Sequence, residues 1–197
     1  IAQAEPRLLI SLADALPGYR SKLAWQRTIA AATASASIAF IPLPVADVVP
    51  LVGVQTGLVL TIARIYGYDI TPARAKELIA AFGVGFAART LQRELAKLLG
   101  APGWVLSAAV AASATVAMGY GAMLWFERGE KPSQELLQGT MREVGAYLRE
   151  QLTRGGKDRP DQKGLRQRVQ AALEGLPERF RPDRGPTERP PKDKLPR

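Results

Sequence analysis

The 197-residue sequence contains no cysteine and no histidine. Without cysteine there is neither a disulfide framework nor a thiolate metal site. Without histidine the commonest general base, metal ligand and pH switch are gone, and a Ser-His-Asp triad is excluded. Carboxylates or a Ser/Lys pair remain, but Asp47, Glu77, Glu94 and Glu127 show no spacing that would pair two of them as acid and base. The chain also lacks GxxxxGK[ST], whose glycines and backbone N–H groups cradle phosphates. Gly83-Val-Gly85 sits in a helical pattern, without the strand that a dinucleotide loop requires. No catalytic, metal-binding or cofactor-binding residue is expected, and the expectation is a protein that is not an enzyme.

Charge is the next scarcity. Between Thr28 and Ala63 the single charged residue is Asp47, and from Gly103 to Phe126 there is none. The net charge of +9 comes mainly from the end of the chain. Residues 1–151 hold 14 Lys/Arg against 11 Asp/Glu, whereas residues 152–197 hold 13 against 7. A tail of that kind is either a solvated appendage or one attracted to polyanions such as anionic lipid or nucleic acid. The first residue is Ile1 rather than Met, as in a fragment or a processed product, and no signal peptide is legible.

What remains is helical patterning. RLLISLADAL (7–16) places Leu8, Leu9, Leu12 and Leu16 on one side, and Pro17-Gly18 ends the segment. A second helix is predicted from Tyr19 to Phe40. Pro42 and Pro44 cannot continue it, since each lacks an N–H and clashes with the preceding turn. Asp47 then reads as the N-cap of the next apolar helix, with Pro50 at its third position, where the missing N–H costs little. The sharper alternative is a carboxylate inside a membrane or cavity that binds an ion or proton. Thr71-Pro72 signals a long helix over 72–99. The uncharged run 103–126 would make roughly 35 Å of helix, enough to cross a hydrocarbon core of about 30 Å. The same composition suits the buried helix of a soluble bundle. ERGEKP (127–132) reads as a polar loop, and 133–152 as an amphipathic helix with Leu136, Leu137, Met141, Val144 and Leu148 as its stripe. Beyond Thr153 the composition predicts disorder, except for a short helix at 162–175.

The fold expected is all-α: an Ala/Gly-rich bundle of five to six helices over 1–152, with a hydrophobic hairpin associated with a membrane, and a basic tail over 153–197. The two arms of the hairpin are roughly 19 and 16 residues, short of the about 20 that a span needs, so a re-entrant or shallow hairpin fits better. Arg27 and Arg64 would anchor one interface, with Trp104 and Trp125 at the ends of the long run. Small residues recur at four-residue spacing: Ala31/Ser35/Ala39, Gly53/Gly57, and Ala109/Ser113/Ala117/Gly121. Such rows permit close helix packing.

IPLPVADVVPLVGVQ (41–55), IARIYGYDI (62–70), the Gly83/Gly85 segment and MGYGAMLWFERGE (118–130) together resemble a bacterial membrane domain family, domain of unknown function 697. That domain follows Era-like or dynamin-like GTPase domains and occurs in YcjF-like inner-membrane proteins. The resemblance covers about residues 20–150. It implies a helical, membrane-associated module that tethers or regulates a GTPase lying upstream or on another chain. It also implies the bacterial cytoplasmic membrane, with the tails in the cytoplasm. Two alternatives stay open. One is a stand-alone membrane protein, a pore former or a subunit of a homo-oligomer or larger assembly. The other is a soluble cytoplasmic scaffold with a polyanion-binding tail. The expected partners are lipid, a GTPase domain or other subunits, rather than nucleic acid.

Overall fold

The computed structural model describes residues 19–40, 48–81, 102–129, 131–156 and 158–177, with the side chains of Val48, Val49 and Ala81 excepted. Pro42, Pro44, Asp47, the segment 7–16, the second half of the predicted helix 72–99 with Gly83 and Gly85, and the last twenty residues lie outside them. Among the described residues there are six helices and no strand: α1 (Arg20–Phe40), α2 (Val48–Ile65), α3 (Pro72–Ala81), α4 (Gly103–Arg128), α5 (Gln134–Arg154) and α6 (Gln162–Glu174). The fold is an all-α bundle.

The ends of these helices follow from their sequence. Pro50 is the third residue of α2, a first-turn position whose N–H has no intrahelical partner anyway. The Thr71 hydroxyl accepts the N–H of Arg74 at 3.2 Å, and Pro72 opens α3 with its φ already helical. Ser133 caps α5 by accepting from the N–H of Leu136, and Asp161 caps α6 by accepting from Gly164. The long helix α4 ends at Gly129, whose φ of 72° is the left-handed conformation that glycine adopts without penalty. Gly129, rather than the polar composition, sets that boundary. Glu127 and Arg128, read from sequence as loop, form the last turn of α4.

α4 is the axis of the molecule. It is about 39 Å long at 1.5 Å per residue, and α1, α2 and α5 pack around it. Phe40 at the end of α1 meets Trp104 at the start of α4, ring centroids 6.0 Å apart and nearly perpendicular. Gly119, near the other end of α4, faces Thr28. The two helices are therefore antiparallel. The start of α5 lies against the end of α4, because Leu137 and Pro132 are what a side chain at Gly121 would meet. Its buried stripe is Leu137, Met141, Val144, Leu148 and Leu152. Leu136, which the sequence places on that stripe, is 43% exposed: it belongs to the capped first turn, and Leu152 continues the stripe instead.

The seam between α1 and α4 is built from small and hydroxyl residues. Ala32 and Ala36 of α1, and Ala108 and Ala112 of α4, have no exposed surface. Buried hydroxyls normally require partners. Those of Thr28, Thr33 and Ser37 donate to carbonyls four residues back, each at 2.9 Å. Thr115 Oγ1 lies 2.9 Å from Ser35 Oγ and from the Ala111 carbonyl, so two hydroxyl protons suffice for both contacts. Most hydroxyls of the seam thus stay on their own helix backbone, and the Ser35–Thr115 pair bonds across it.

The chain beyond Thr153 is not simply a tail. α6 buries Leu165, Val169, Ala172 and Leu173 against α1 and α5. The Tyr147 hydroxyl of α5 donates to the Gly175 carbonyl at 3.0 Å. The folded body therefore continues at least to Leu176, which is 1% exposed, well past the boundary expected at 152.

Candidate docking end of the hairpin

The helical hairpin has two unlike ends. At one, the start of α1 and the last turns of α2 and α4 bring titratable groups together. Tyr66, 5% exposed, has a hydroxyl without a hydrogen-bond partner among the described residues. Burial pushes that hydroxyl above the usual phenol range; the Glu127 carboxylate pushes the same way and the Arg20 guanidinium opposes it. Burial likewise raises Glu127 above the usual carboxyl value, against the pull of Arg128. Tyr68 stacks on Phe126 at 5.5 Å, after a turn in which Gly67 takes a φ of 82°. The YGY segment thus folds back over the end of α4.

The opposite end, where α1 finishes and α2 begins, carries a different surface. No charged residue occurs in α1 from Thr28 to Phe40 or in α2 before Arg64. What α2 shows outward is Pro50, Gly53 and Gly57, exposed, beside Leu51, Val52, Val54 and Leu60, half-buried. Thr56 and Thr61 donate their hydroxyls to the Val52 and Gly57 carbonyls one turn back, each at 2.7 Å, which satisfies both donors within the helix. The start of α4 adds Trp104, Leu106 and Val110, all half-buried. The Trp104 indole N–H is unpartnered among the described residues. Among the described residues of α1, α2 and α4, none at this end is charged; Asp47, directly before α2, lies outside them.

The α5–α6 turn lies beside it. Arg159 Nη2 donates to the Phe40 carbonyl at 2.9 Å, and its guanidinium carbon is 4.4 Å from the Phe40 ring centroid. The last carbonyls of a helix have no intrahelical donor and carry the negative end of its dipole. α1 has no basic residue in its own last turn, and Arg159, remote in sequence, supplies the cation. α6 then runs back along α1, and Arg166, Gln170 and Glu174 face Gln26, Ile29, Ala30, Thr33 and Ala34 across an open groove of 580 Å³.

The residues singled out from sequence divide as follows. Ala109, Ser113, Ala117 and Gly121 are buried in one row of α4. Gly53 and Gly57 pack against nothing among the described residues: each is exposed, with nothing within 4 Å of where a Cβ would stand. The apolar side chains of α2, rather than its glycines, face α1 and α4, with Leu58, Val59 and Ile62 buried. The described glycine with the closest Cβ contact, Gly119, falls outside every four-residue row considered; a Cβ there would lie 2.4 Å from Thr28 Oγ1. Trp125, expected at an interface, is 6% exposed and belongs to the core. Arg27 and Trp104 are half-buried and Arg64 is exposed. Arg159 could not be found from sequence, because nothing in a Gly/Pro/Lys/Arg stretch marks one arginine as the partner of a helix 119 residues away.

Among the described residues, one helix, Gly103–Arg128, is long and apolar enough to cross a membrane, and 78% of its most apolar window is buried inside the bundle. Glu77 pairs with Arg74 on the surface of α3, and no group of three or more Asp/Glu gathers among the described residues. No curated protein and no solved structure matches the chain. One family model does, over residues 21–154, described as a domain of unknown function, DUF697. That match takes in α1 to α5, including both ends of the hairpin, and the chain belongs to this family.

Proposed function

We propose that the chain is a non-catalytic membrane-docking and interaction module. It enters the cytoplasmic face of a bacterial inner membrane shallowly, by the α1–α2 end of the hairpin, and works with a GTPase domain on the same polypeptide or another chain. The observation that carries the docking part is the charge-free surface around Pro50, Gly53, Gly57 and Trp104. Exposed glycines beside half-buried apolar side chains leave a surface that a partner or lipid can cover, and an aromatic beside it suits the bilayer interface. Insertion is shallow in this reading, because Arg166 of α6 lines a groove with Thr33 and Ala34. A charge there would be carried into the acyl layer if the hairpin were immersed down to Arg27.

The link to a GTPase rests on the family resemblance; its first check is whether GxxxxGK[ST] is encoded shortly upstream of Ile1. Docking is tested by fractionating the expressed chain with high salt, alkaline carbonate and mild detergent in turn. Retention through salt with release by carbonate or detergent is expected. A second reading, a water-soluble scaffold with a polyanion-binding tail, is favoured by the burial of Gly103–Arg128. It predicts that the chain is found in the supernatant before any extraction.

A further inference from the structure

We infer that the docking end selects anionic phospholipid, through a basic collar that the α5–α6 turn places at the level of Phe40. This rests on the docking reading above and adds the lipid class to it. The collar is Arg154, Arg159 and Lys163, all exposed. Of the three, Arg159 is tied to α1 by contact, and the other two flank it in the chain. Arg159 is fixed to the last carbonyl and the last ring of α1, five residues after Arg154 and four before Lys163. Phe40 in turn packs on Trp104, so cations, an interfacial aromatic and the charge-free surface of α2 occupy one end of the bundle. Three carboxylates lie beside these cations: Glu150 pairs with Arg154 at 2.6 Å, Asp161 caps α6, and Asp158 sits in the turn, while Arg166 and Arg168 of α6 follow.

The chemistry of this arrangement is that of a bilayer rim. Arginine and lysine near an anionic surface gain roughly 1 kcal/mol each, a factor of about five in partitioning. Their long stems let the charge stay at headgroup level while apolar neighbours enter the acyl region. Nucleic acid would match the charge but has no use for an apolar surface next to it. A lone apolar docking site would have no use for the cations.

The test is sedimentation of the full chain with sucrose-loaded vesicles of phosphatidylcholine, with and without 30% phosphatidylglycerol, at low and moderate salt. Tighter binding to the anionic vesicles is expected, with the preference shrinking as salt rises. Arg154→Gln/Arg159→Gln/Lys163→Gln should lower anionic binding on the order of 100-fold, from about fivefold per charge, and leave binding to pure phosphatidylcholine unchanged. Arg159 also holds α1 to the turn. Arg154→Gln/Lys163→Gln, which retains it, should therefore lower anionic binding about 25-fold at unchanged melting temperature. Equal binding to both vesicle types overturns the inference and leaves docking standing. Binding to neither removes both. An anionic preference undiminished in both variants also overturns it and moves the preference to residues 178–197, as does tighter binding to a single-stranded oligonucleotide than to the anionic vesicles.

Discussion

Gly119→Ala should destabilise the protein although alanine is the better helix former. Gly119 lies inside α4, where exchanging glycine for alanine gains about 0.8–1 kcal/mol of intrinsic helix propensity. Against this, the new methyl would lie 2.4 Å from Thr28 Oγ1, 2.5 Å from its Cγ2 and 3.0 Å from its Cβ. Carbon pairs sit comfortably at about 3.5–4.0 Å. Rotating Thr28 does not help, since its Cβ stays in place and the bond from its hydroxyl to the Ala24 carbonyl would be lost. The helices must move apart at a seam where Ala24, Ala32 and Ala112 have no exposed surface. Overpacking of this kind costs about 1–3 kcal/mol, so the net loss should reach about 2 kcal/mol and lower the melting temperature by up to about 6 °C. The assay is urea and thermal unfolding followed by circular dichroism, for Gly119→Ala, Thr28→Ala and the pair. Thr28→Ala removes the two closest contacts, so the double variant should recover at least about 1 kcal/mol relative to additivity. If Gly119→Ala instead stabilises by about 1 kcal/mol, or the two changes are additive, the close approach of α1 and α4 is refuted.

Gly57→Ala should have the opposite sign. With nothing within 4 Å of the new methyl, it should stabilise by about 0.5–1 kcal/mol in urea melts, and a loss would show that α2 packs on something at this face. Arg159→Ala should cost about 1–2 kcal/mol through the lost bond to the Phe40 carbonyl and the ring contact, while Arg159→Lys should recover part of it; equal melts for all three would remove the clamp. Glu127 has its carboxyl pKa raised by folding, so its contribution favours the folded state at low pH and fades as pH rises from the ordinary carboxyl value through the raised one. Glu127→Gln should therefore flatten that part of the stability-pH profile, and an unchanged slope between wild type and variant would refute the assignment.

The helices themselves were legible because their signals are local. Thr71-Pro72 acts within one turn of the chain, and Pro50 sits where its missing N–H is harmless. The end of α4 was misread by two residues because a charged pair, Glu127-Arg128, looks like loop although only the left-handed Gly129 stops the helix. Packing partners were harder to read. A four-residue row of small side chains marks a face, and the 109–121 row is indeed buried, but sequence does not say whether a neighbour lies over it. Gly53/Gly57 has the same spacing with open space above it. The closest Cβ contact of a described glycine arises from one glycine opposite one threonine 91 positions earlier, a pairing that no periodicity encodes. The same holds for α6: its amphipathic pattern predicts a helix, but the Tyr147–Gly175 bond and the buried leucines are what make it part of the body.

Whether α4 is a span or a core is decided by what lies beside it rather than by its own composition. A helix uncharged over roughly 35 Å satisfies its backbone equally well in lipid and in protein. Its neighbours differ in those two settings. In a bilayer, a helix packed along α4 would have to be apolar on its outer face as well. α5 runs antiparallel along α4 and turns Arg142, Glu143 and Glu150 outward along its length. Placing α4 across the acyl layer would carry those charges with it, each at a cost of a few kcal/mol. The burial of Ala108, Ala112, Val116 and Met123 is then the burial of a protein core, and the half-buried apolar side chains of α2 lie with Trp104 at one end of it. That is why docking by an end, rather than crossing by a helix, is the reading that keeps α5 and α6 in water.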